Sequence, residues 1–189
     1  MTIHSTHPFA EDPSRRDPAR RFRARLGGAV TLWAAGALEG PREERAVGLT
    51  VSSVMLALGD EPTVLGLIDP DSDLADRLAV GTPYVVSLLQ WRHRDLAEVF
   101  AGLAPSPGGP FATGAWTATA AGPVPDGVGT WLVAEVRDLR PVGWSLLVEG
   151  VVREVTVGED APDGADRVAS DDAPLLHRRG RYERPGGAR

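Results

Sequence analysis

Trp131-Leu-Val-Ala-Glu-Val-Arg-Asp-Leu139 is the stretch on which the fold turns. Its alternation puts Leu132, Ala134 and Val136 on one wholly apolar face, and Trp131, Val133, Glu135 and Arg137 on a mixed one. A strand with one side in a core reads this way. The same signature recurs on both sides, in runs at 47–58, 63–68, 84–89, 130–139 and 145–157, each bounded by turn residues. Two short helices interrupt them. Ser72 caps the first over 73–80, where Leu74 and Leu78 share a face and Gly81 ends the run. The second covers 93–100, with Leu96, Val99 and Phe100 apolar and Gly102 as the stop. Upstream, 18–26 is a short amphipathic helix with Phe22 and Leu26 four apart, stopped by Gly27 and Gly28. A strand at 29–35 and an exposed hairpin loop at 36–45 follow, and the Pro- and Gly-rich 104–110 is a loop. Many strands and few helices predict a mainly β fold with short helices, a barrel or sandwich carrying helical insertions.

The chain has 189 residues, 42% of them hydrophobic, which suits one compact domain of roughly 100–200 residues. Residues 1–17 are polar and Pro-rich without periodic apolar pattern and are expected to be a flexible N-terminal arm, leaving 18–189 as the domain. The longest apolar-leaning uncharged run, 46–59, falls short of the ~20 residues of a membrane-crossing helix. The N-terminal stretch lacks the continuous apolar segment of a secretory signal, so the expected location is cytoplasmic. Zero cysteines exclude disulfides, thiolate metal sites and cysteine nucleophiles, and four histidines make a transition-metal site an unfavoured expectation. A net charge of -6 disfavours nucleic acid as partner. All twenty basic residues are arginine, which removes lysine Schiff-base and P-loop chemistry.

Hydroxyls inside an apolar run are costly to bury without partners, and Gly48-Leu-Thr-Val-Ser-Ser-Val54 carries three of them. The hydroxyls and backbone N–H groups of Thr50, Val51, Ser52 and Ser53 could meet the pyrimidine edge of a flavin, which needs both donors and acceptors. The same cluster also suits a polar strand end satisfied by neighbouring backbone. Asp69-Pro-Asp-Ser-Asp73 follows a strand and opens a helix, a place for an anion, yet its carboxylates would repel one; a solvated turn capped by Ser72 fits equally. In Trp91-Arg-His-Arg-Asp95, Arg92 could reach phosphate oxygens or simply start a surface helix. His177-Arg-Arg-Gly-Arg-Tyr182 joins a stacking ring, cations and a phenol in a tail that either docks on the body or a partner subunit or stays solvent-exposed. No Gly-x-Ser-x-Gly elbow supports serine nucleophile chemistry.

In order along the chain, these pieces resemble the flavin reductase-like domain family, whose fold is the FMN-binding split barrel. Phe22-Arg-Ala-Arg-Leu-Gly-Gly-Ala-Val-Thr31 is similar to its opening helix and first strand, and 48–54 to its flavin-edge segment. Glu61-Pro-Thr-Val-Leu-Gly-Leu-Ile-Asp69 resembles the strand that follows. Tyr84-Val-Val-Ser-Leu-Leu89, then His93, Leu96-Ala97 and Phe100-Ala-Gly102, resemble the central strand and its helix. Gly122-Pro-Val-Pro125, Glu135 and Leu175-Leu-His-Arg-Arg-Gly-Arg-Tyr182 complete the likeness, which spans residues 20–183.

The resemblance implies a split β-barrel homodimer with a flavin, FMN or FAD, near the subunit interface. It further implies hydride transfer from NADH or NADPH, and in many members supply of reduced flavin to a separate monooxygenase. The flavin performs the redox step, so no catalytic side chain is expected. The expected cofactor contacts are Thr50, Val51, Ser52, Ser53, Asp69, Ser72, Ser87, Arg92, His177 and Arg178, with Arg77 a further candidate for the phosphate. Ser87 stands where the family commonly has Asn. Gly143-Trp-Ser145 stands where its reductases often carry Gly-Asp-His, whose His approaches the nicotinamide. The substitution favours an alternative, a flavin-binding split-barrel protein without efficient nicotinamide use; a member adapted to deazaflavin or haem is a further one.

Overall fold

The computed structural model describes residues 17–158 and 171–185, so the arm expected at 1–17 lies, but for its last residue, outside the described residues. Helix α1 (Pro18–Leu26) begins with Asp17 accepting from the Ala19 N–H at 2.9 Å and with proline in its first turn, where no N–H is missed. It ends at Gly27, whose φ of 63° is a glycine conformation. β1 (Gly28–Ala29), β2 (Thr31–Ala35), β3 (Val47–Val51), β4 (Val54–Ala57) and β5 (Thr63–Ile68) follow. Helix α2 (Asp73–Arg77) stops three residues short of the sequence expectation. Leu78 turns extended, and the Ala79 N–H goes to the Thr82 hydroxyl at 3.0 Å.

β6 (Pro83–Leu88) leads through a 3-10 turn at Trp91–His93 into α3 (Arg94–Phe100). After a second 3-10 turn at Pro110–Ala112 come β7 (Trp116–Ala118), β8 (Pro123–Pro125), β9 (Trp131–Val142), β10 (Ser145–Thr156), β11 (Leu176–Arg178) and β12 (Arg181–Glu183). No helix among the described residues is long and apolar enough to cross a membrane.

Seven strands form one antiparallel sheet in the order β3-β2-β6-β9-β10-β5-β4. Its two edges, β3 and β4, are consecutive in the chain and joined only by Ser52 and Ser53. Two residues reach no further than about 10 Å, so the sheet must curl until its edges nearly meet. The run expected at 47–58 is therefore two strands on opposite edges of a split barrel, and α2 packs on β2 and β3 beside the gap.

Leu132, Ala134 and Val136 line the barrel interior, as the quoted alternation requires, together with Trp33, Val64, Leu74, Tyr84 and Val148. The Trp33 and Tyr84 rings stack at 5.1 Å and fill the centre. Gly66 and Gly150 make room for them: a Cβ would fall 2.5 Å from the Trp33 ring at Gly66 and 2.1 Å from the Tyr84 oxygen at Gly150. On the other face of the wall, Val30, Leu32, Val85, Leu89 and Leu175 pack with α3 and the β7–β8 hairpin. Phe100, Phe111 and Trp116 stand mutually edge-on or tilted there, 4.8–5.6 Å apart.

Candidate functional site

Ser52 and Ser53 are the crossing point between the two sheet edges, which is why a hydroxyl-rich pair sits inside an apolar run. The Leu67 N–H donates to the Ser53 carbonyl at 3.0 Å, fixing the far side of the crossing. On the near side Thr31 donates its hydroxyl to the Val51 carbonyl at 2.7 Å and accepts the Trp33 indole N–H at 3.0 Å. Val51 itself is buried in the barrel core. Both serines are half-buried, and among the described residues neither hydroxyl has a hydrogen-bond partner. Neither hydroxyl is sealed from solvent, so both remain open to a ligand that offers donors and acceptors.

The C-terminal segment completes this corner. Gly28 pairs with His177 and Ala29 with Leu176, which makes 176–183 a hairpin docked on the body rather than a free tail. The Ser52 carbonyl lies 2.8 Å from where a Gly28 Cβ would be, so only glycine lets β1 run this close to the crossing. Arg178 packs along Gly27 and is ion-paired with Glu183 at 3.0 Å. His177 meets the Tyr182 ring edge-on at 5.7 Å. Its pKa is lowered by burial and then by the nearby Arg23, so the imidazole is neutral near pH 7.

The other expected residues divide between two further places. The Asp69–Ser72 turn continues β5 past Ile68, on the same end of the barrel as the crossing. Ser72 donates to the Asp69 carbonyl at 2.7 Å and accepts the Ala75 N–H at 3.2 Å, acting as the helix cap. Thr50 and Ser87 point away from the barrel interior, into the outer layer. Thr50 donates to the Ala97 carbonyl of α3 at 2.8 Å, while the Ser87 hydroxyl is buried without a partner. Arg92 is ion-paired with Asp172, beside Gly127. Thus the structure gathers Ser52, Ser53, His177 and Arg178 at one corner, with Asp69 and Ser72 at the same end, and holds Thr50, Ser87 and Arg92 elsewhere.

His93, next to Arg92, holds two loops together. The Gln90 N–H donates to Nδ1 at 3.2 Å, so Nε2 carries the proton towards the Asp126 carbonyl at 3.3 Å. Burial, and more weakly Arg92, lower its pKa, although the Asp126 contact pulls the other way. A depressed folded pKa contributes stability that is complete above the unfolded value of about 6.5 and is lost as pH falls through the folded value. The melting temperature is therefore expected to drop as pH falls below that point, and His93→Phe to flatten the drop. Equal slopes in wild type and variant, in melts over that range, would remove His93 as the cause.

Gly28 has a role that sequence reading reduced to a helix stop. The available signal was the doubled glycine, since one suffices to end α1. Trp144, at the tip of the β9–β10 hairpin, is largely exposed and carries the Arg20 guanidinium 4.9 Å from its ring centroid.

A family model described as flavin reductase like domain matches residues 23–186. An NADH:FMN oxidoreductase from Rhodococcus qingshengii is 33% identical over 141 residues, 74% of this chain and 68% of the relative. Among solved structures, the NADH:FAD oxidoreductase of Streptomyces globisporus C-1027 superposes with a TM-score of 0.72 at 23% identity, covering 95% of this chain and 98% of that one. The styrene monooxygenase flavin reductase of Pseudomonas putida S12 gives 0.68 at 22% identity over 90% of this chain and 98% of that one. At these identities the structural likeness speaks for the fold.

Proposed function

The chain belongs to the flavin reductase like domain family, and from that membership we propose that it is an NAD(P)H-dependent flavin reductase holding FMN or FAD at the Ser52–Ser53 crossing. The observation that carries this reading is the unpartnered, half-buried hydroxyl pair, set in a corner that a Gly28 Cβ would close. These residues fit the polar edge of a flavin, which offers both donors and acceptors. When bound, the flavin supplies the hydride acceptor. The protein's part is placement. The crossing would orient the ring through Ser52 and Ser53, and neutral His177 and the Arg178–Glu183 pair would close the corner beside Gly28. The styrene monooxygenase flavin reductase among the similar structures supports a further part of the proposal, that the chain supplies reduced flavin to a monooxygenase partner, and a cytoplasmic location, where nicotinamide is regenerated, suits that task.

A homodimer belongs to the same proposal. Phe22 and Leu26 on α1 and Met55, Leu56 and Leu58 on and after β4 are exposed on either side of the crossing, apolar surface that a second copy would cover. One sample tests both parts: sedimentation reads the dimer, and anaerobic NADH or NADPH is expected to bleach the visible absorbance of added FMN or FAD faster with protein than without. Bleaching at the protein-free rate would overturn the reductase reading. Flavin binding without bleaching would favour the second reading, a flavin-binding protein without efficient nicotinamide use. The exposed Trp144 between Gly143 and Ser145 favours that reading, because this hairpin tip offers no imidazole to a nicotinamide.

A further inference from the structure

The acidic turn poses a problem for any flavin, because both FMN and FAD carry phosphate. Asp69, Asp71, Asp73 and Asp76 surround Ser72, whose hydroxyl is already used twice, and α2 has only five residues. A cation must come from elsewhere. Arg92 pairs with Asp172 and Arg178 with Glu183, and the Arg77 guanidinium, without an ion-pair partner among the described residues, lies by Gly36 at the end of β2 remote from the Ser52–Ser53 crossing.

Helix α1 is placed to supply it. Its C-terminal end is tied to the β11–β12 turn, where the Arg179 N–H donates to the Ala24 carbonyl at 2.8 Å. Near its N-terminal end Arg20 lies over Trp144. Because Leu146 pairs with Ile68, this hairpin tip flanks the start of the Asp69–Ser72 turn. The helix therefore runs from the Gly28–Ser52 corner towards the acidic turn. Arg20 and Arg23, three residues apart, share one exposed face of the helix with Ala24 and Gly27. Among the described residues Arg20, Arg21, Arg23 and Arg25 have no carboxylate partner, in a chain whose net charge is -6.

We propose that Arg20 and Arg23 of α1 are the phosphate-binding cations of this site, compensating the carboxylates of the Asp69–Asp73 turn. The proposal rests on the flavin-binding reading above. Guanidinium–phosphate contacts are charge-assisted and salt-sensitive, whereas the ring edge makes no such demand. Riboflavin, which has the ring without the phosphate, separates the two.

All of α1 is exposed, so its arginines can be replaced without opening the core. FMN and riboflavin are titrated into the full chain by flavin fluorescence. The Arg20→Ala/Arg23→Ala variant is expected to bind FMN about ten-fold or more weakly and riboflavin within about two-fold of wild type, with a shallower salt dependence for FMN. Arg20→Lys/Arg23→Lys should retain most of the FMN affinity, and Arg153→Ala, paired with Glu135 at the other end of β10, should leave it unchanged. Unchanged FMN affinity in the alanine variant, or an equal loss for FMN and riboflavin, overturns the proposal while leaving flavin binding standing. Wild-type protein that binds neither ligand overturns the functional reading and the proposal with it.

Discussion

Replacing Trp33 with Ala is expected to lower the stability of the barrel by about 3–5 kcal/mol, the usual cost of truncating a buried large aromatic. Trp33 has no exposed surface, stacks on Tyr84 at 5.1 Å and fills the space opposite Gly66. The cost should depend on Gly66 in a way that surface contacts never do. Alone, Gly66→Ala drives a methyl to within 2.5 Å of a rigid indole ring, an overpacking worth about 1–3 kcal/mol of destabilisation. In the Trp33→Ala background the same methyl enters vacated space and should recover about 1 kcal/mol. Urea denaturation of the two single variants and the double variant closes the cycle. Additive losses would mean that the indole and Gly66 do not share one volume. At a domain stability of about 5–15 kcal/mol, losses of this size lie within the range that urea titration reads.

That packing was half legible in the sequence. The alternation in 131–139 identifies which side of β9 is core, because period-two burial is a local property of an extended chain. The strand expected at 63–68 is found at Thr63–Ile68 for the same reason. Local pattern fails where the fold asks a residue for something non-local. Nothing in 47–58 marks Ser52 and Ser53 as a crossing between opposite edges, since the apolar pattern continues through both strands. β8 is Pro-Val-Pro and is not among the strands expected from the sequence; it pairs only with β7, so the missing N–H groups cost the sheet little. β11 and β12 are short and arginine-rich, joined by Arg179 and Gly180 at φ 55° and 74°, a tight turn that composition alone does not separate from a solvent-exposed basic tail, which is why docking and exposure both stayed open in the sequence. Within the proposed site the serines stand out in the sequence because hydroxyls in an apolar run demand explanation. The commitments of Thr50 to α3 and of Arg92 to Asp172 do not, because their partners lie 47 and 80 residues away along the chain.

Gly28→Ala is expected to cost the protein at least about ten-fold in flavin affinity, because a displaced carbonyl disturbs every contact made by the residue that bears it. Gly28 does not need glycine for its φ; the constraint is the Ser52 carbonyl, 2.8 Å from the position a Cβ would take. That oxygen belongs to the main chain and has no rotamer to escape into. Either β1 retreats, straining the Gly28–His177 pairing, or the Ser52 peptide shifts, and both disturb the corner proposed to hold the ring edge. The fold should survive with a loss of about 1–3 kcal/mol, read from the same urea melts. FMN and riboflavin should weaken together, because the disturbance is at the ring and not at the phosphate, the opposite of the pattern expected for Arg20 and Arg23. Gly59 serves as the control: a Cβ there meets nothing within 4 Å, so Gly59→Ala should leave both affinities unchanged. A folded Gly28→Ala protein that titrates with flavin as wild type does would move the ring away from Ser52, and with it the assignment of the hydroxyl pair.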